Sequence, residues 1–327
     1  MSFDHGGPQG PEDTLLDFSV NTNPLGPNPA LVRAWHSASL VNYPDPHYTR
    51  ARQALAAWHA WDAEGVVLGV GASELLHRLA RALVRPGEVV LSLGAPFGEF
   101  ARGVAAQEGH IHALPRTAEG IHAALAHPAA RILYLSNPHN PSGDYLDLNL
   151  LRDFNGVVIA DEAYLPFVER PIAVNPWAGL VRVHSPGKAH GVLGMRLAYA
   201  LCDPELAQRL LRLQPAWAIP SAAAAVLEAL PEQQAFLNAT LPTVRRWASL
   251  LAEQLGGEWR GLHFFTVRVR SAEQVTNALR GLGIRVRDCT TFGCPDRVRI
   301  ATRTPDENRR LLEAWQKLTQ SSDTNPS

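Results

Sequence analysis

The sequence predicts an α/β fold: a large domain with a mostly parallel sheet covered by helices, followed by a smaller α+β domain. Amphipathic helix patterns alternate with short apolar or β-branched runs over the first two thirds of the chain. This alternation is typical of parallel strands buried on both faces. After about residue 230 the strands and helices follow a different, mixed order, which indicates a separate unit. The 46% hydrophobic and 19% charged content is that of a globular protein.

The large domain is predicted over residues 31–230, after an N-terminal arm at 1–30 that is rich in Gly, Pro and Asn and expected to pack near the small domain and the site. Its helices and strands are predicted from apolar periodicity. The predicted helices cover 51–61 and 74–84, and the predicted strands cover 66–70, 89–93, 132–135, 157–160, 181–184 and 197–202.

The small domain is predicted over residues 231–320. A long helix pattern at 241–255 is followed by a strand whose apolar residues alternate at Phe265, Val267 and Val269. A helix at 272–282, strands at 284–286 and 298–301, and a last helix at 307–318 complete it. Residues 321–327 are predicted to be a disordered tail.

Composition also limits the functional classes. The net charge of −1 offers no global attraction to nucleic acid or to an anionic membrane. No secretory signal and no run of about 18 apolar residues is visible, so a cytoplasmic setting without membrane or nucleic-acid partners is predicted. Cys202, Cys289 and Cys294 lack metal-site spacing and are predicted to be structural thiols, with no metal bound.

Lysine is scarce in this chain. Of 30 Lys and Arg residues only Lys188 and Lys317 are lysine. Lysine can lose its proton and act as a nucleophilic amine, which arginine effectively cannot. Lys317 falls in the last helix pattern and is interpreted as part of a solvated face. Lys188 lies in a motif instead, and we interpret it as chemically active.

Four segments at predicted strand ends carry the chemistry. They are a glycine turn at 69–74, an Asn-Pro segment at 137–143, the Asp-Glu-Ala-Tyr segment at 161–164, and the stretch 185–196 around Lys188. Open α/β sheets bind ligands at such strand ends. The glycine turn and the Asn-Pro segment, taken alone, are also compatible with plain turns. Together the four supply an amine, a buried acid, hydrogen-bond donors and an anion cradle, as a pyridoxal phosphate site requires.

The set resembles the fold-type I pyridoxal phosphate enzymes of the class I/II aminotransferase superfamily, whose N-P-x-N-P-T-G, D-E-A-Y and S-x-x-K…G-x-R motifs occur in the same order. The resemblance implies the fold type I architecture, pyridoxal 5′-phosphate as cofactor, and a homodimer. It implies that Lys188 forms the Schiff base, that Asp161 pairs with the pyridinium nitrogen, and that Tyr164 acts beside them. The other implied cofactor contacts are Asn140 and Tyr164 at the ring hydroxyl, Phe97 on the ring, Gly71, Ala72, Ser73, Ser185 and Arg196 at the phosphate, and Tyr43 at the phosphate of the neighbouring subunit.

Two positions depart from the family pattern. Gly187 stands where Ser or Thr usually precedes the lysine, and Ser142 stands where Thr is usual. The first change removes a side-chain hydroxyl that would bind the cofactor phosphate. We therefore expect lower cofactor affinity or a water in place of this hydroxyl.

The segment at 17–26 is similar to both threonine-phosphate decarboxylases and histidinol-phosphate aminotransferases. The H-G-G motif at 5–7, the R-D-C motif at 287–289, the R-I-A-T-R motif at 299–303 and Trp217 favour the decarboxylase family. The resemblance therefore predicts a carbon-carbon lyase that decarboxylates L-threonine O-3-phosphate to (R)-1-amino-2-propanol phosphate in cobalamin biosynthesis. The alternatives are a histidinol-phosphate or related class I/II aminotransferase and, more remotely, a non-catalytic pyridoxal phosphate-binding regulator.

A small amino-acid phosphate is the predicted substrate. Guanidinium groups bind carboxylate and phosphate through paired hydrogen bonds, so Arg287 and Arg299 are candidates for its anions. Surface arginines and an exposed tail histidine remain the alternative interpretations for Arg287, Arg299 and His5. The predicted substrate residues are His5, Gly6, Asn21, Asn140, Arg287 and Arg299.

Overall fold

The computed structural model describes residues 6–8, 10 and 13–322. Its strands are β1 (Leu16–Asp17), β2 (Val66–Val70), β3 (Val89–Leu93), β4 (His110–Leu114), β5 (Ile132–Ser136), β6 (Val157–Asp161), β7 (Leu180–His184), β8 (Leu197–Leu201), β9 (Glu258–Trp259), β10 (Phe264–Arg268), β11 (Ile284–Arg285), β12 (Arg287–Asp288) and β13 (Arg297–Ala301). Its α-helices are α1 (Pro29–His36), α2 (Thr49–His59), α3 (Ala72–Leu83), α4 (Gly98–Ala106), α5 (Ala118–Leu125), α6 (Pro204–Arg212), α7 (Ser221–Ala229), α8 (Gln234–Gln254), α9 (Ala272–Gly281) and α10 (Pro305–Ser322).

Seven strands form the main sheet, in the order β2-β8-β7-β6-β5-β3-β4. The strands from β4 to β7 pair in parallel, and β8 is antiparallel to both of its neighbours. The prediction of a mostly parallel sheet covered by helices is confirmed. The sequence patterns did not reveal β4, because this edge strand has no continuous apolar run and most of its residues are exposed.

Helices cover both faces of this sheet. On one face α3 packs with α4 and α6, and Leu75, Leu76 and Leu79 of α3 are fully buried there. Their i, i+1 and i+4 spacing places them on one side of the helix. Each such leucine contributes roughly 1.5–3 kcal/mol through burial. On the other face α1, α2 and α7 form a second core with the sheet. These layers hold the ends of the parallel strands rigidly.

A second, antiparallel sheet has the order β12-β13-β10-β9 and packs with α8, α9 and α10. The N-terminal segment reaches it, because β1 pairs with β11 and the Ala301 N–H donates to the Phe18 carbonyl at 2.9 Å. The division into an arm and two domains at residues 30 and 230 stays a prediction. The last helix continues to Ser322, two residues into the segment predicted as a disordered tail. Residues 323–327 lie outside the described residues.

The three cysteines are free thiols, with Cys202 and Cys289 buried. Burial raises the pKa of both buried thiols to about 12, which keeps them protonated and unreactive. In the described part of the chain, no helix combines the length and apolarity that crossing a membrane requires.

Candidate active site

A cavity of about 600 Å³ opens at the carboxyl ends of the parallel strands, where Ser136 ends β5 and Asp161 ends β6. This is the edge at which open α/β sheets bind ligands. The sequence-predicted residues that line it are Gly6, Asn21, Ala72, Ser73, Phe97, Asn140, Asp161, Tyr164, Ser185, Lys188, Arg196, Arg287 and Arg299. The fold therefore brings together residues that are up to 293 positions apart, from Gly6 to Arg299.

Lys188 is half-buried in the loop that follows β7. Its Nζ donates to Ser185 Oγ at 3.2 Å and lies 5.3 Å from the ring centroid of Tyr164. The N-terminal segment holds the backbone of the lysine, since the Asn23 N–H and the Thr22 hydroxyl both donate to the Lys188 carbonyl. The N-terminal segment thus fixes the backbone of Lys188, and Ser185 contacts its amine.

Asp161 is the buried acid of the site. Its carboxylate accepts a hydrogen bond from the Tyr134 hydroxyl and one from the Ala163 N–H, both at 3.2 Å. Burial raises the pKa of the Asp161 carboxyl, and the nearby Lys188 charge opposes that shift. A carboxylate this deeply buried needs a cationic partner. A protonated pyridine nitrogen is such a partner.

Tyr134, which donates the hydrogen bond to Asp161, was not predicted as a site residue from the sequence. Its ring stacks on Phe100 with centroids 4.3 Å apart, and burial raises the pKa of its hydroxyl well above 10. The hydroxyl therefore stays protonated and available as a donor to Asp161. The signal in the sequence was a tyrosine hydroxyl between apolar residues in the middle of β5.

The segment predicted to hold the cofactor phosphate lies at the N-terminus of α3. Gly71 precedes this helix with φ +88°, and no side chain caps the first turn. Free N–H groups at a helix start attract an anion. The Arg196 guanidinium lies directly over the turn, since a Cβ at Gly71 would be 2.5 Å from Arg196 Nη2. Ala72 and Ser73 line the cavity beside it.

Gly187 also lines the cavity, and its surroundings are tight. A Cβ at this position would lie 3.2 Å from the Val192 carbonyl oxygen, its nearest neighbour. The site thus lacks a side-chain hydroxyl here, and a serine at this position requires a small shift of the Val192 backbone.

Arg299 and Asn140 are hydrogen-bonded to each other in the cavity wall. Arg299 is 4% exposed and donates to the Asn140 Oδ1 and to the Ser19 carbonyl. Burial lowers the pKa of the Arg299 guanidinium. Because the Asn140 oxygen is engaged by Arg299, its amide N–H groups are the atoms that remain for a ligand.

Arg287 is the cross-strand neighbour of Arg299 in the β12–β13 pair. It is 8% exposed, donates to the Thr291 hydroxyl at 2.8 Å, and lies over the Phe292 ring at 5.3 Å. Two like charges opposite each other on neighbouring strands repel. An anion bound between the two guanidinium groups would relieve that repulsion, and the role of the pair in binding the substrate stays a prediction.

The remaining predicted substrate residues come from the N-terminal segment. Asn21 is 4% exposed, and among the described residues neither of its side-chain amide atoms has a hydrogen-bond partner. An unpaired buried amide is costly, and a ligand in the cavity can satisfy it. Gly6 packs against Ser19 at the cavity wall, where a Cβ would meet the Ser19 carbonyl at 2.5 Å. His5 lies outside the described residues.

Tyr43 is placed away from this cavity. It is 77% exposed and stacks on Trp217 with ring centroids 4.6 Å apart. Leu40 and Val41, beside it in sequence, are also almost fully exposed. The role of Tyr43 at a neighbouring subunit's site stays a prediction.

The family model described as "Aminotransferase class I and II" matches residues 13–314. The chain belongs to this family. Family membership confirms the predictions of fold type I and of pyridoxal 5′-phosphate as the cofactor. It also confirms that the protein is an enzyme of this superfamily.

Several curated relatives match this chain over most of their length. The histidinol-phosphate aminotransferase of Roseiflexus castenholzii is 28% identical over 94% of this chain and 91% of its own. That of Halorubrum lacusprofundi is 30% identical over 92% of this chain and 88% of its own. The crystal structure of histidinol-phosphate aminotransferase from Sinorhizobium meliloti in complex with pyridoxal-5′-phosphate superposes with a TM-score of 0.83, at 23% identity over 92% and 90% of the two chains.

The prediction of a threonine-phosphate decarboxylase is wrong. The curated relatives at 26–30% identity carry the name histidinol-phosphate aminotransferase. L-threonine-O-3-phosphate decarboxylase from Porphyromonas gingivalis matches as a structure, with a TM-score of 0.81 at 20% identity over 93% and 99% of the two chains, which shows the shared fold alone. The error has a physical reason: Arg287 and Arg299 fit an anionic substrate in either reaction, so they do not discriminate between the two.

Proposed function

We propose that the protein is a pyridoxal phosphate-dependent aminotransferase whose amino donor is an amino phosphate of the histidinol phosphate type. The observation that carries the donor class is the buried Arg287–Arg299 pair, which lines the same cavity as Lys188, while the match to the aminotransferase family supports the reaction. An amine and an anion site in one cavity fit a donor with an amino group near a phosphate. The names of the curated relatives support this substrate class.

The residues of the cavity fit the cofactor. Asp161 offers the buried acid for the pyridine nitrogen, and the uncapped start of α3 with Arg196 offers the phosphate cradle. Asn140 retains amide donors for the ring oxygen. When bound, pyridoxal phosphate supplies an electron sink that weakens the bonds at the amino carbon of the substrate.

The protein's own side chains perform the remaining tasks. Lys188 Nζ would hold the cofactor, and its free amine would act as the base that removes the proton from the amino carbon of the donor and delivers it to the cofactor. Ser185 lies 3.2 Å from Nζ and orients it. Arg299 and Arg287 bind the anion of the donor and so fix which bond at the amino carbon is exposed to Lys188.

The test uses the full chain loaded with pyridoxal phosphate. Histidinol phosphate and 2-oxoglutarate are supplied together, and glutamate formation is measured. We expect glutamate from histidinol phosphate and much slower formation from histidinol, which has the same amine without the phosphate. Carbon dioxide release from amino-acid phosphates in place of glutamate formation would contradict the proposal.

We further propose a homodimer in which Tyr43 reaches the cofactor phosphate of the partner. The exposed Leu40, Val41 and Tyr43 beside Trp217 form an apolar surface that supports such an interface. Mixing the inactive variants Lys188→Ala and Tyr43→Ala tests it. If Tyr43 acts in the partner's site, one of the two sites in a mixed dimer carries neither substitution and activity returns. If it acts within its own subunit, every site carries one substitution and no activity returns.

A further inference from the structure

Thr291 lies at the mouth of the cavity on a short, well-fixed turn. The turn Thr290–Phe292 follows β12 and ends at Gly293, whose φ of +77° belongs to the left-handed region. It is held by the Thr290 N–H to Asp288 Oδ1 bond at 2.7 Å and by the Phe292 N–H to Cys289 carbonyl bond at 2.9 Å. Thr291 is exposed but lines the cavity. Its hydroxyl is therefore a fixed polar group that a bound substrate can contact.

The hydroxyl of Thr291 is set up as a donor. It accepts the Arg287 Nη2–H at 2.8 Å, so its own proton remains free to be donated. Arg287 is fixed in turn by burial and by its contact with the Phe292 ring. Arg287 and Thr291 thus present guanidinium N–H groups and one O–H group side by side.

This combination distinguishes a phosphate from a carboxylate. A planar carboxylate has two oxygens, which a guanidinium fork satisfies by itself. A phosphate group has a third oxygen outside the plane of that fork, and it accepts an additional donor. Arg299, opposite Arg287, gives two of its five N–H groups to Asn140 and Ser19, and the Thr291 hydroxyl adds a donor beside Arg287 that is not part of either guanidinium plane.

We propose that Thr291 is a specificity-determining residue that donates its hydroxyl proton to the phosphate of the amino donor, an inference that rests on the proposed function. Thr291 favours phosphate-bearing donors over carboxylate-bearing ones. A hydrogen bond to a charged group lost without replacement lowers affinity about tenfold or more.

The test compares Thr291→Val with wild type in two half-reactions of the loaded enzyme. With histidinol phosphate we expect kcat/KM to fall about tenfold, because valine keeps the shape and lacks the donor. With L-glutamate we expect a change of less than about twofold, since a carboxylate is satisfied by the guanidinium alone. Thr291→Ser, which keeps the hydroxyl, should retain most of the phosphate preference. Thr290→Val is the matched control, because Thr290 lies on the same turn and is not among the cavity-lining residues.

Inorganic phosphate gives a second readout that does not depend on the natural donor. Its inhibition constant against L-glutamate should rise about tenfold in Thr291→Val and stay unchanged in Thr290→Val. Equal losses in both half-reactions, or an unchanged inhibition constant, would overturn the proposal for Thr291. If wild type reacts with L-glutamate but transfers no nitrogen from histidinol phosphate, the proposed donor is wrong, and the phosphate inhibition still decides the role of Thr291.

Discussion

Replacing Tyr134 with phenylalanine tests how the site keeps a buried acid charged. The change removes the hydroxyl that donates to Asp161 at 3.2 Å and leaves the stacking on Phe100 in place. A hydrogen bond to a charged group contributes roughly 1.5–3 kcal/mol, and the length of this one places it at the lower end. A loss of about 1.4 kcal/mol raises the pKa of the Asp161 carboxyl by about one further unit. Burial already raises that pKa, so the two effects add.

We expect Tyr134→Phe to bind the cofactor more weakly. A partly neutral Asp161 pairs less well with the pyridine nitrogen, so cofactor affinity should fall about tenfold in Tyr134→Phe. The acid limb of the pH–activity profile should move up by about one pH unit. Absorbance titration of the apoprotein with pyridoxal phosphate at several pH values measures both.

A matched control separates this effect from a general loss of stability. Tyr199 is another buried tyrosine of the same sheet, whose hydroxyl lies 2.7 Å from His59 Nε2 and outside the cavity. Tyr199→Phe should lower the unfolding temperature and leave cofactor affinity unchanged. Unchanged affinity and an unshifted pH profile in Tyr134→Phe would refute the reasoning.

Three further perturbations probe the cradle and the core. Gly187→Ser should tighten pyridoxal phosphate binding roughly threefold to tenfold by adding a hydroxyl, while Gly187→Ala should not; equal affinities in a cofactor titration would count against this. Gly71→Ala should weaken binding about tenfold, because φ is +88° and the new Cβ would displace Arg196; the same titration measures this, and wild-type affinity would contradict it. Burial lowers the pKa of His139 and of His190 from 6.5 to about 4. The unfolded chain then binds more protons at acid pH, so the free energy of unfolding should fall by about 2 kcal/mol per histidine between about pH 7 and about pH 5. Urea unfolding checks this, and equal stability at both pH values would contradict it.

The sequence predicted the site well where chemistry requires a particular residue type. Lys188 was identifiable because lysine is rare in this chain and has a reactivity that arginine lacks. Asp161 was identifiable because burying a carboxylate at the end of a strand is costly unless a cation or a hydrogen-bond donor is paired with it. The structure places both in one cavity, together with Asn140 and Arg196.

Contacts that depend on packing between distant segments could not be predicted. Tyr134 occurs in an apolar strand, and only the register of β5 against β6 shows that it reaches Asp161. Thr291 is the second of two threonines in a short turn without a recognisable motif, and only the fold brings it to the cavity. The exposed edge strand β4 lacked a buried apolar pattern.

The choice of reaction was the larger error. The same cofactor and similar anionic substrates serve decarboxylation and amino transfer, and the outcome depends on which bond at the amino carbon is aligned for cleavage. Arginines at positions 287 and 299 indicate that an anion binds there, but they do not show which bond at the amino carbon is aligned for cleavage.

One measurement tests the proposed amino transfer most directly. Histidinol phosphate is added to the loaded enzyme without any 2-oxoglutarate, and the visible absorbance of the cofactor is followed. The account predicts that the band disappears, that about one carbonyl product forms per subunit, and that 2-oxoglutarate restores the band while glutamate is released. Continued turnover without 2-oxoglutarate, or an unchanged band, would contradict it.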